Sequence, residues 1–139
     1  MATAALLDTS VILASLNVAD PAHTACVALL ARAEFDLVVP MLCVAEVSHL
    51  VNRDLDPAAE AGFLESLSEL QVESPDAGDW DRIAELVRQY GDFPLGGVDA
   101  SIVALAERHD IRTVMTLDHR HFRAIQPRHV EAFTLLPEL

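Results

Sequence analysis

The sequence predicts an α/β domain in which a central parallel sheet of about four to five strands is covered by helices on both faces. Two observations lead to this prediction. Short apolar runs alternate with helical patterns along the whole chain, and acidic residues stand where such runs end. The length of 139 residues fits one domain, residues 1–139, that buries roughly two-thirds of its unfolded surface.

The first half of the chain predicts two strands and four helices. The strands are "AALLD" and "DLVVP", the second closed by Pro40. A helix opens at Thr9 or Ser10, and a second is predicted in "PAHTACVALLARA", with Pro21 at its start and Asp20 as its N-cap. The other two helices are "MLCVAEVSHLVNR" and "PAAEAGFLESLSEL". Each strand is thus followed by a helix, as a parallel sheet requires.

The second half repeats this alternation. A third strand is possible at "QVES", and a clearly amphipathic helix follows, with Trp80, Ile83, Val87 and Tyr90 on one face and Gly91 as its stop. The remaining segments are the loop "DFPLGG", the helix "DASIVALAERH", the strand "TVMTL", the short turn or helix "DHRHFRAI" and a last strand near "AFTLL". The strands of the whole chain are therefore predicted to form a single sheet, and the sequence contains no internal repeat.

Composition narrows the class of protein. Hydrophobic residues make up 52% and charged residues 22%, which is typical of a globular protein. No apolar run approaches the roughly 18 residues of a membrane span, so a soluble, cytoplasmic protein without membrane contact is expected. Cys26 and Cys43 lie in apolar helical stretches without a C-x-x-C pair, which favours buried, reduced thiols over a disulfide or zinc ligands.

The charge distribution bears on a nucleic-acid partner. A net charge of −13 argues against phosphate binding. Yet the stretch from Arg108 to Arg128 holds five of the nine basic residues, all of which are arginines, and arginine matches phosphate oxygens well. A solvated helix face is the alternative reading of this stretch.

Four acidic residues stand where a parallel sheet places its ligands. Asp8 ends the first strand, Glu46 lies on an apolar helix after the second, Asp99 opens a helix after "PLGGV", and Asp118 follows "TVMTL". Ligands of open parallel sheets bind outside the carboxyl ends of the strands. Taken singly, Asp99 is explained as a helix cap and Asp118 as a turn residue.

Taken together, the four carboxylates indicate a metal site. Like charges brought together repel, and a divalent cation removes that repulsion. All-oxygen ligands favour Mg²⁺ or Mn²⁺ over zinc. Such an ion suits phosphodiester hydrolysis, because it lowers the pKa of a bound water and stabilises charge on the phosphorus.

The same residues carry a family resemblance. The segments "LLDTSVILA", "VVPMLCVAEV", "GGVDASIVALAERH" and "TVMTLDHRHF" resemble the four acidic motifs of PIN-domain nucleases, specifically the VapC toxins of bacterial toxin-antitoxin pairs. The resemblance covers nearly the whole chain. It implies a Mg²⁺- or Mn²⁺-dependent endoribonuclease, usually a homodimer, that a VapB-type antitoxin holds inactive.

The resemblance also assigns roles by position. Asp8, Glu46, Asp99 and Asp118 would be the metal-binding, catalytic acids, and Ser10 would orient Asp8 or a metal-bound water. Many family members carry a further acid just before the phenylalanine of the last motif. Here His121 stands in that place, which leaves open whether one metal or two are bound.

Residues beyond the motifs are weaker candidates. Arg120 and Arg123, just after Asp118, are predicted to contact the phosphates of RNA. Glu46 and His49 form an E-x-x-H without the second copy that a di-iron site needs, so His49 is interpreted as a packed core histidine or a neighbour of the site. His119 and His121 are expected to face solvent or RNA phosphate.

Two other functions remain open. One is a catalytically silent PIN-like module that binds RNA or protein. The other is a Mg²⁺-dependent phosphoacceptor domain or aspartyl phosphatase, which usually needs a lysine that this chain lacks. Apolar helices such as "FLESLSEL", with a mean hydropathy of +0.29, predict a hydrophobic surface for self-association or antitoxin docking.

Overall fold

The computed structural model describes residues 1–138, and its centre is a sheet of five parallel strands. The strand order is β3-β2-β1-β4-β5, and every neighbouring pair is parallel. The strands are β1 Thr3–Leu7, β2 Phe35–Pro40, β3 Gln71–Glu73, β4 Thr113–Met115 and β5 Thr134–Leu136. The predicted sheet is confirmed, although β4 ends two residues before the end of the predicted strand "TVMTL".

Seven α-helices connect the strands within residues 1–138. They are α1 Thr9–Leu16, α2 His23–Leu30, α3 Met41–Asp54, α4 Pro57–Ser66, α5 Ala77–Gln89, α6 Gly97–His109 and α7 His119–Ala124. A 3-10 turn at Leu67–Glu69 follows α4, so the predicted helix over "PAAEAGFLESLSEL" is shorter than expected. None of these helices is long and apolar enough to cross a lipid bilayer.

The helices cover both faces of the sheet, as predicted. Leu6 of β1 packs into an apolar cluster with residues of α5 and α6. Ala5 and Leu7 point the other way, into a cluster with residues of α1 to α4. This alternation follows from the two-residue period of a strand. Burial on both faces explains why the strands read as continuous apolar runs.

The order of the strands determines where a ligand can bind. From β1 the chain moves outward to β2 and β3, whereas β4 returns to the other side of β1 and β5 continues outward. Strands are thus added on one side of β1 and then on the other, and the carboxyl ends of β1 and β4 flank the point where this direction reverses. In open α/β sheets this crevice is the usual ligand site.

The start of α2 differs from the prediction. The helix begins at His23, its N-cap position is Ala22, and no side chain caps it. The Asp20 carboxylate instead accepts a hydrogen bond from the Ala22 amide at 2.8 Å. Asp20 thus closes a turn of its own, which is a frequent alternative use of an aspartate before a helix.

The buried face of α5 also differs from the prediction. Trp80 is 50% exposed, whereas Asp79, Ile83 and Leu86 are buried. Asp79 completes a capping box at the helix start and accepts a hydrogen bond from Arg108 Nε at 2.7 Å. Because Asp79 points toward Arg108 on α6, the next residue, Trp80, lies on the solvent side of α5.

Candidate active site

The fold places Asp8, Glu46 and Asp118 where their charges act on the fourth sequence-predicted carboxylate, Asp99. Asp8 follows β1, Glu46 lies on α3, Asp99 lies in the first turn of α6, and Asp118 follows β4. Burial raises the pKa of Asp99 to about 6, and the negative charges of Asp8, Asp118 and Glu46 add to the rise. Mutual repulsion of this kind requires that the four groups share one region of the molecule.

Asp8 is the most deeply buried of these acids. Its side chain is 5% exposed. One carboxylate oxygen accepts a hydrogen bond from the Thr9 amide at 2.8 Å, and the other accepts from Ser10 Oγ at 2.8 Å and Thr116 Oγ1 at 2.7 Å. Burial nevertheless raises the pKa of Asp8, and these hydrogen bonds only partly offset it.

The hydroxyls that hold Asp8 are themselves held by the backbone. The Leu117 amide donates to Ser10 Oγ at 3.0 Å, and the Asp118 amide donates to Thr116 Oγ1 at 2.9 Å. With these lone pairs occupied by amide donors, each hydroxyl hydrogen is free to point at Asp8. The network therefore joins the carboxyl ends of β1 and β4 and orients the Asp8 carboxylate.

Thr116 was not singled out in the sequence. It lies just beyond the last residue of β4, next to the end of β1, because Leu7 is paired with Met115. The available signal was a hydroxyl residue two positions before an acid at the end of an apolar strand. That signal acquires meaning only once β1 and β4 are known to be neighbours.

Asp99 is not the cap of α6. The N-cap position is Gly96, and no side chain makes a capping hydrogen bond there. The simplest structural explanation of Asp99 is therefore wrong. Its carboxylate is half-buried, and burial together with the charges of other acids raises its pKa. Ionised Asp99 therefore lowers the stability of the folded state, and no capping hydrogen bond compensates for this.

Asp118 serves as a cap and also belongs to the site. Its carboxylate accepts a hydrogen bond from the His121 amide at 3.2 Å, at the start of α7. The Nδ1 atom of His121 lies 2.5 Å from Asp118 Oδ2, although the contact lacks hydrogen-bond geometry. We treat it as a close electrostatic contact between the two side chains.

Glu46 is half-buried on α3, and its negative charge contributes to the raised pKa of Asp99. Within residues 1–138, no group of three or more histidine, cysteine, aspartate or glutamate side chains is already arranged to hold a metal ion. The four acids are therefore linked here by the action of their charges on Asp99 and not by a shared set of ligand distances.

The donor chemistry of the site fits a hard divalent cation. The four candidate ligands are carboxylates, and oxygen ligands are those that Mg²⁺ and Mn²⁺ prefer. The raised pKa values of Asp8 and Asp99 show the electrostatic cost that a cation would remove. The nearby thiol of Cys43 is a poor competitor, because burial raises its pKa to about 12.

Three arginines of the arginine-rich stretch form ion pairs with acids of the same chain, two of them at the exposed surface. Arg108 pairs with Asp79, Arg112 with Asp110 and Arg128 with Glu85. Arg120 and Arg123 are exposed, and neither forms a salt bridge within residues 1–138. These two cations, which the sequence singled out, are therefore available to an anionic ligand.

Two histidines differ from their predictions. His49 is exposed and is not a core residue, because Val47 and Val51 are buried on α3 instead. His119 is 5% exposed and neither ring nitrogen has a hydrogen-bond partner within residues 1–138. It shares one side of α7 with buried Phe122, three residues on, so it does not face solvent.

This combination of sheet and acids is that of a known nuclease-type fold. The PIN domain family matches residues 5–126, and the chain belongs to that family. A curated relative is Ribonuclease VapC26 of Mycobacterium tuberculosis, which is 34% identical over 134 residues, or 95% of this chain and 99% of the relative.

Solved structures share the fold. Mycobacterium tuberculosis VapC20, described as a sarcin-ricin loop cleaving toxin, has a TM-score of 0.80 at 21% identity, with 91% of this chain and 98% of that chain covered. VapBC2 from Rickettsia felis, bound to a promoter DNA fragment, has a TM-score of 0.70 at 18% identity, with 96% and 97% covered. This chain thus shares its overall fold with both structures.

We expect Thr116→Val to weaken metal binding. The substitution keeps the shape of the side chain but removes a donor to Asp8 and the acceptor of the Asp118 amide. Loss of such a supporting hydrogen bond costs about tenfold or more in metal affinity. Calorimetric titration with Mn²⁺ measures the dissociation constant, and Thr116→Ser, which keeps the hydroxyl, is the matched control. Equal affinity in the valine variant would contradict the role of the network.

Asp99 should make the metal-free protein less stable as pH rises. Its pKa is 3.8 in the unfolded reference and about 6 in the folded state, so the folded state holds more protons between these values. The stability from this proton is present below about pH 4 and is lost as pH rises through about 6.

Asp99→Asn should therefore flatten the pH dependence of stability. We expect it to stabilise the metal-free protein at neutral pH by about 1 kcal/mol, after allowance for solvent screening of a partly exposed group. Urea denaturation in the presence of a chelator, at about pH 4 and about pH 7, measures this. Parallel loss of stability in both proteins would show that Asp99 is not the group responsible.

Proposed function

We propose that this protein is a metal-dependent endoribonuclease toxin. The observation that carries the proposal is that the charges of Asp8, Asp118 and Glu46 all act on the half-buried Asp99, in a sheet whose strand order reverses between β1 and β4. Membership of the PIN domain family and 34% identity with a protein named Ribonuclease VapC26 support it. The reaction is hydrolysis of a phosphodiester bond of RNA with Mg²⁺ or Mn²⁺ as cofactor.

Asp8, Asp99, Asp118 and Glu46 would hold the metal ion. When bound, the ion lowers the pKa of a water and offsets negative charge that develops on the phosphate. Ser10 and Thr116 act on Asp8, since both donate to the same carboxylate oxygen and leave the other oxygen with only the Thr9 amide. Ser10 is thus a positioning residue, and the acids are the catalytic ones.

Binding of the phosphate backbone falls to Arg120 and Arg123. They stand on α7, whose N-cap is Asp118, and they form no salt bridge within residues 1–138. The fork of a guanidinium matches phosphate oxygens. With a net charge of −13, the rest of the protein repels RNA, so these two cations carry the local attraction.

A VapB-type antitoxin and a second copy of the chain are the proposed partners. The solved relatives include a VapBC complex and a toxin-antitoxin complex from Klebsiella pneumoniae. An apolar cavity of about 260 Å³ lies between α1 and α4 and is lined by Ile12, Leu16, Phe63 and Leu70 among others. Leu64 on α4 is 44% exposed. The segment "FLESLSEL" thus offers both buried and exposed apolar side chains.

The proposed location is the cytoplasm. Both cysteines, Cys26 and Cys43, are free and buried, as the sequence predicted. Free thiols are the usual state in a reducing compartment.

A catalytically silent RNA-binding module is the second candidate. One observation favours it: within residues 1–138 no group of three or more histidine, cysteine, aspartate or glutamate side chains is arranged to hold a metal ion. Cleavage in the presence of a divalent cation separates the two functions.

Asp8→Asn and Asp99→Asn should each abolish RNA cleavage without unfolding the protein. Each replacement removes a negative charge from the shared metal site and keeps the size of the side chain. Cleavage of total cellular RNA with added Mn²⁺, with circular dichroism for the fold, measures this. Asp36→Asn, on the exposed part of β2, is the matched control and should cleave normally. An unchanged rate in either site variant would refute the assigned roles.

Replacing Arg120 and Arg123 together by alanine should weaken RNA binding and flatten its salt dependence. Each lost phosphate contact on a single strand reduces the slope of log K against log salt by about 0.7. The control is the double replacement of Arg32 and Arg53, two arginines that pair with neighbouring acids. Filter binding over a range of salt concentrations measures the slope, and equal slopes in both double variants would exclude these phosphate contacts.

The isolated chain should self-associate through its apolar surface. Burial of exposed side chains such as Leu64 on α4 and Met41 on α3 would drive the association. Sedimentation velocity measures it, with and without the coexpressed antitoxin. A monomer at high concentration in both samples would remove the predicted homodimer.

A further inference from the structure

An aromatic side chain stands beside the acidic site without belonging to the core. Phe93 lies in the loop between α5 and α6 and is half-buried. It packs into neither apolar cluster of the sheet. Leu95, two residues on, is 3% exposed and anchors the loop in the core. Phe93 is therefore not required to fill the interior.

Two side chains of α7 contact the ring of Phe93. The His121 ring lies with its centroid 4.8 Å from that of Phe93 and is tilted by 52°. The guanidinium carbon of Arg120 lies 5.8 Å from the Phe93 centroid, over the ring. We call Phe93, Arg120 and His121 the aromatic rim.

The aromatic rim adjoins the acids directly. His121 Nδ1 lies 2.5 Å from Asp118 Oδ2, and the charge of His121 acts on Asp99. The loop is also held in place: the Phe93 amide donates to the Tyr90 carbonyl at 3.0 Å, and the Tyr90 hydroxyl accepts from the Gln126 amide at 3.0 Å. The backbone at Phe93 is thus tied to the end of α5, which is itself tied to the segment after α7.

We propose that the aromatic rim binds a nucleobase of the RNA next to the phosphate that is cleaved. This inference rests on the proposed ribonuclease function. Bases of single-stranded RNA stack on aromatic rings and on guanidinium planes, and the rim offers both. Arg120 then has two contacts, its charge toward a phosphate and its plane toward the base.

The charge of the protein explains why such a contact is needed. With a net charge of −13 and six of the nine arginines in ion pairs with acids of the same chain, attraction for phosphate is limited to a few side chains. Stacking does not depend on net charge and is tolerant of base identity. A stacking contact at the rim would hold the RNA strand where the acids can act on it.

Tryptophan fluorescence tests the proposal directly. The chain has a single tryptophan, Trp80, which is 50% exposed on α5. The double variant Trp80→Phe, Phe93→Trp moves this reporter to the rim. In an Asp8→Asn background, which prevents cleavage, we expect oligoadenylate and oligouridylate ten-mers to quench the fluorescence of the rim variant. The unmoved Trp80 of Asp8→Asn alone is the matched control and should be unaffected. Absence of quenching at position 93 would overturn the proposal.

Phe93→Ala provides an independent measurement. Loss of one stacked base is expected to weaken binding of the same ten-mers by about five- to 100-fold, with the slope of log K against log salt unchanged. In cleavage, the loss should appear mainly in KM, because a stack made equally in ground and transition states is uniform binding. Trp80→Ala, the removal of an exposed aromatic ring elsewhere, should change neither value. Thermal unfolding of Phe93→Ala should match wild type, since the ring is outside the core.

The failure of the inference and the failure of the proposed function have different signatures. If wild-type protein cleaves RNA and Phe93→Ala cleaves it with the same KM, the aromatic rim does not bind a base and the ribonuclease function stands. If wild-type protein with Mn²⁺ leaves RNA intact, the ribonuclease function fails. In that case quenching at position 93 would still show that the rim binds a base.

Discussion

The repulsion among carboxylates at one edge of the sheet is the constraint on which the rest of the structure depends. A parallel sheet with its direction reversal between β1 and β4 brings Asp8 and Asp118 to the same crevice, and α6 adds Asp99. Buried acids of like charge resist ionisation, which is why the pKa of Asp99 reaches about 6. The protein keeps this arrangement although a neutral residue at position 99 would be easier to accommodate. Such a conflict between stability and local charge is typical of functional sites.

The chain supports this arrangement with hydroxyl groups and backbone amides rather than with buried cations. Asp8 receives two hydroxyls and an amide, and those hydroxyls in turn accept from the backbone after β4. An arginine or lysine in the same place would neutralise Asp8 and compete with a metal ion. Neutral donors orient the carboxylate and leave its charge available. This choice of donors is what allows one crevice to be both preorganised and receptive to a cation.

Outside the crevice, the few basic side chains are mostly occupied. Arg82 contacts Glu107 through two nitrogens, with both side chains about 10% exposed, and this pair joins α5 to α6. Arg108 bridges to the capping aspartates of α5. An acidic protein in which most arginines form ion pairs with its own acids has little long-range attraction for RNA. The contacts proposed for RNA lie on or beside α7, where Arg120 and His121 contact Phe93 and His121 contacts Asp118.

The sequence by itself determined the alternation of strands and helices and the parallel sheet, because apolar periodicity is a local signal. It also identified the four acids as candidate site residues, because a charge within or after an apolar run is visible locally. Two predictions from the sequence were wrong. Asp20 closes a turn instead of capping α2, and on α5 the buried residue is Asp79 whereas Trp80 is half exposed. Only the tertiary structure decided which strands are neighbours, and with that the role of Thr116, the burial of His119 and the exposure of His49. It also showed which arginines are already paired. These properties depend on contacts between segments far apart in the chain, and no local pattern of residues records them.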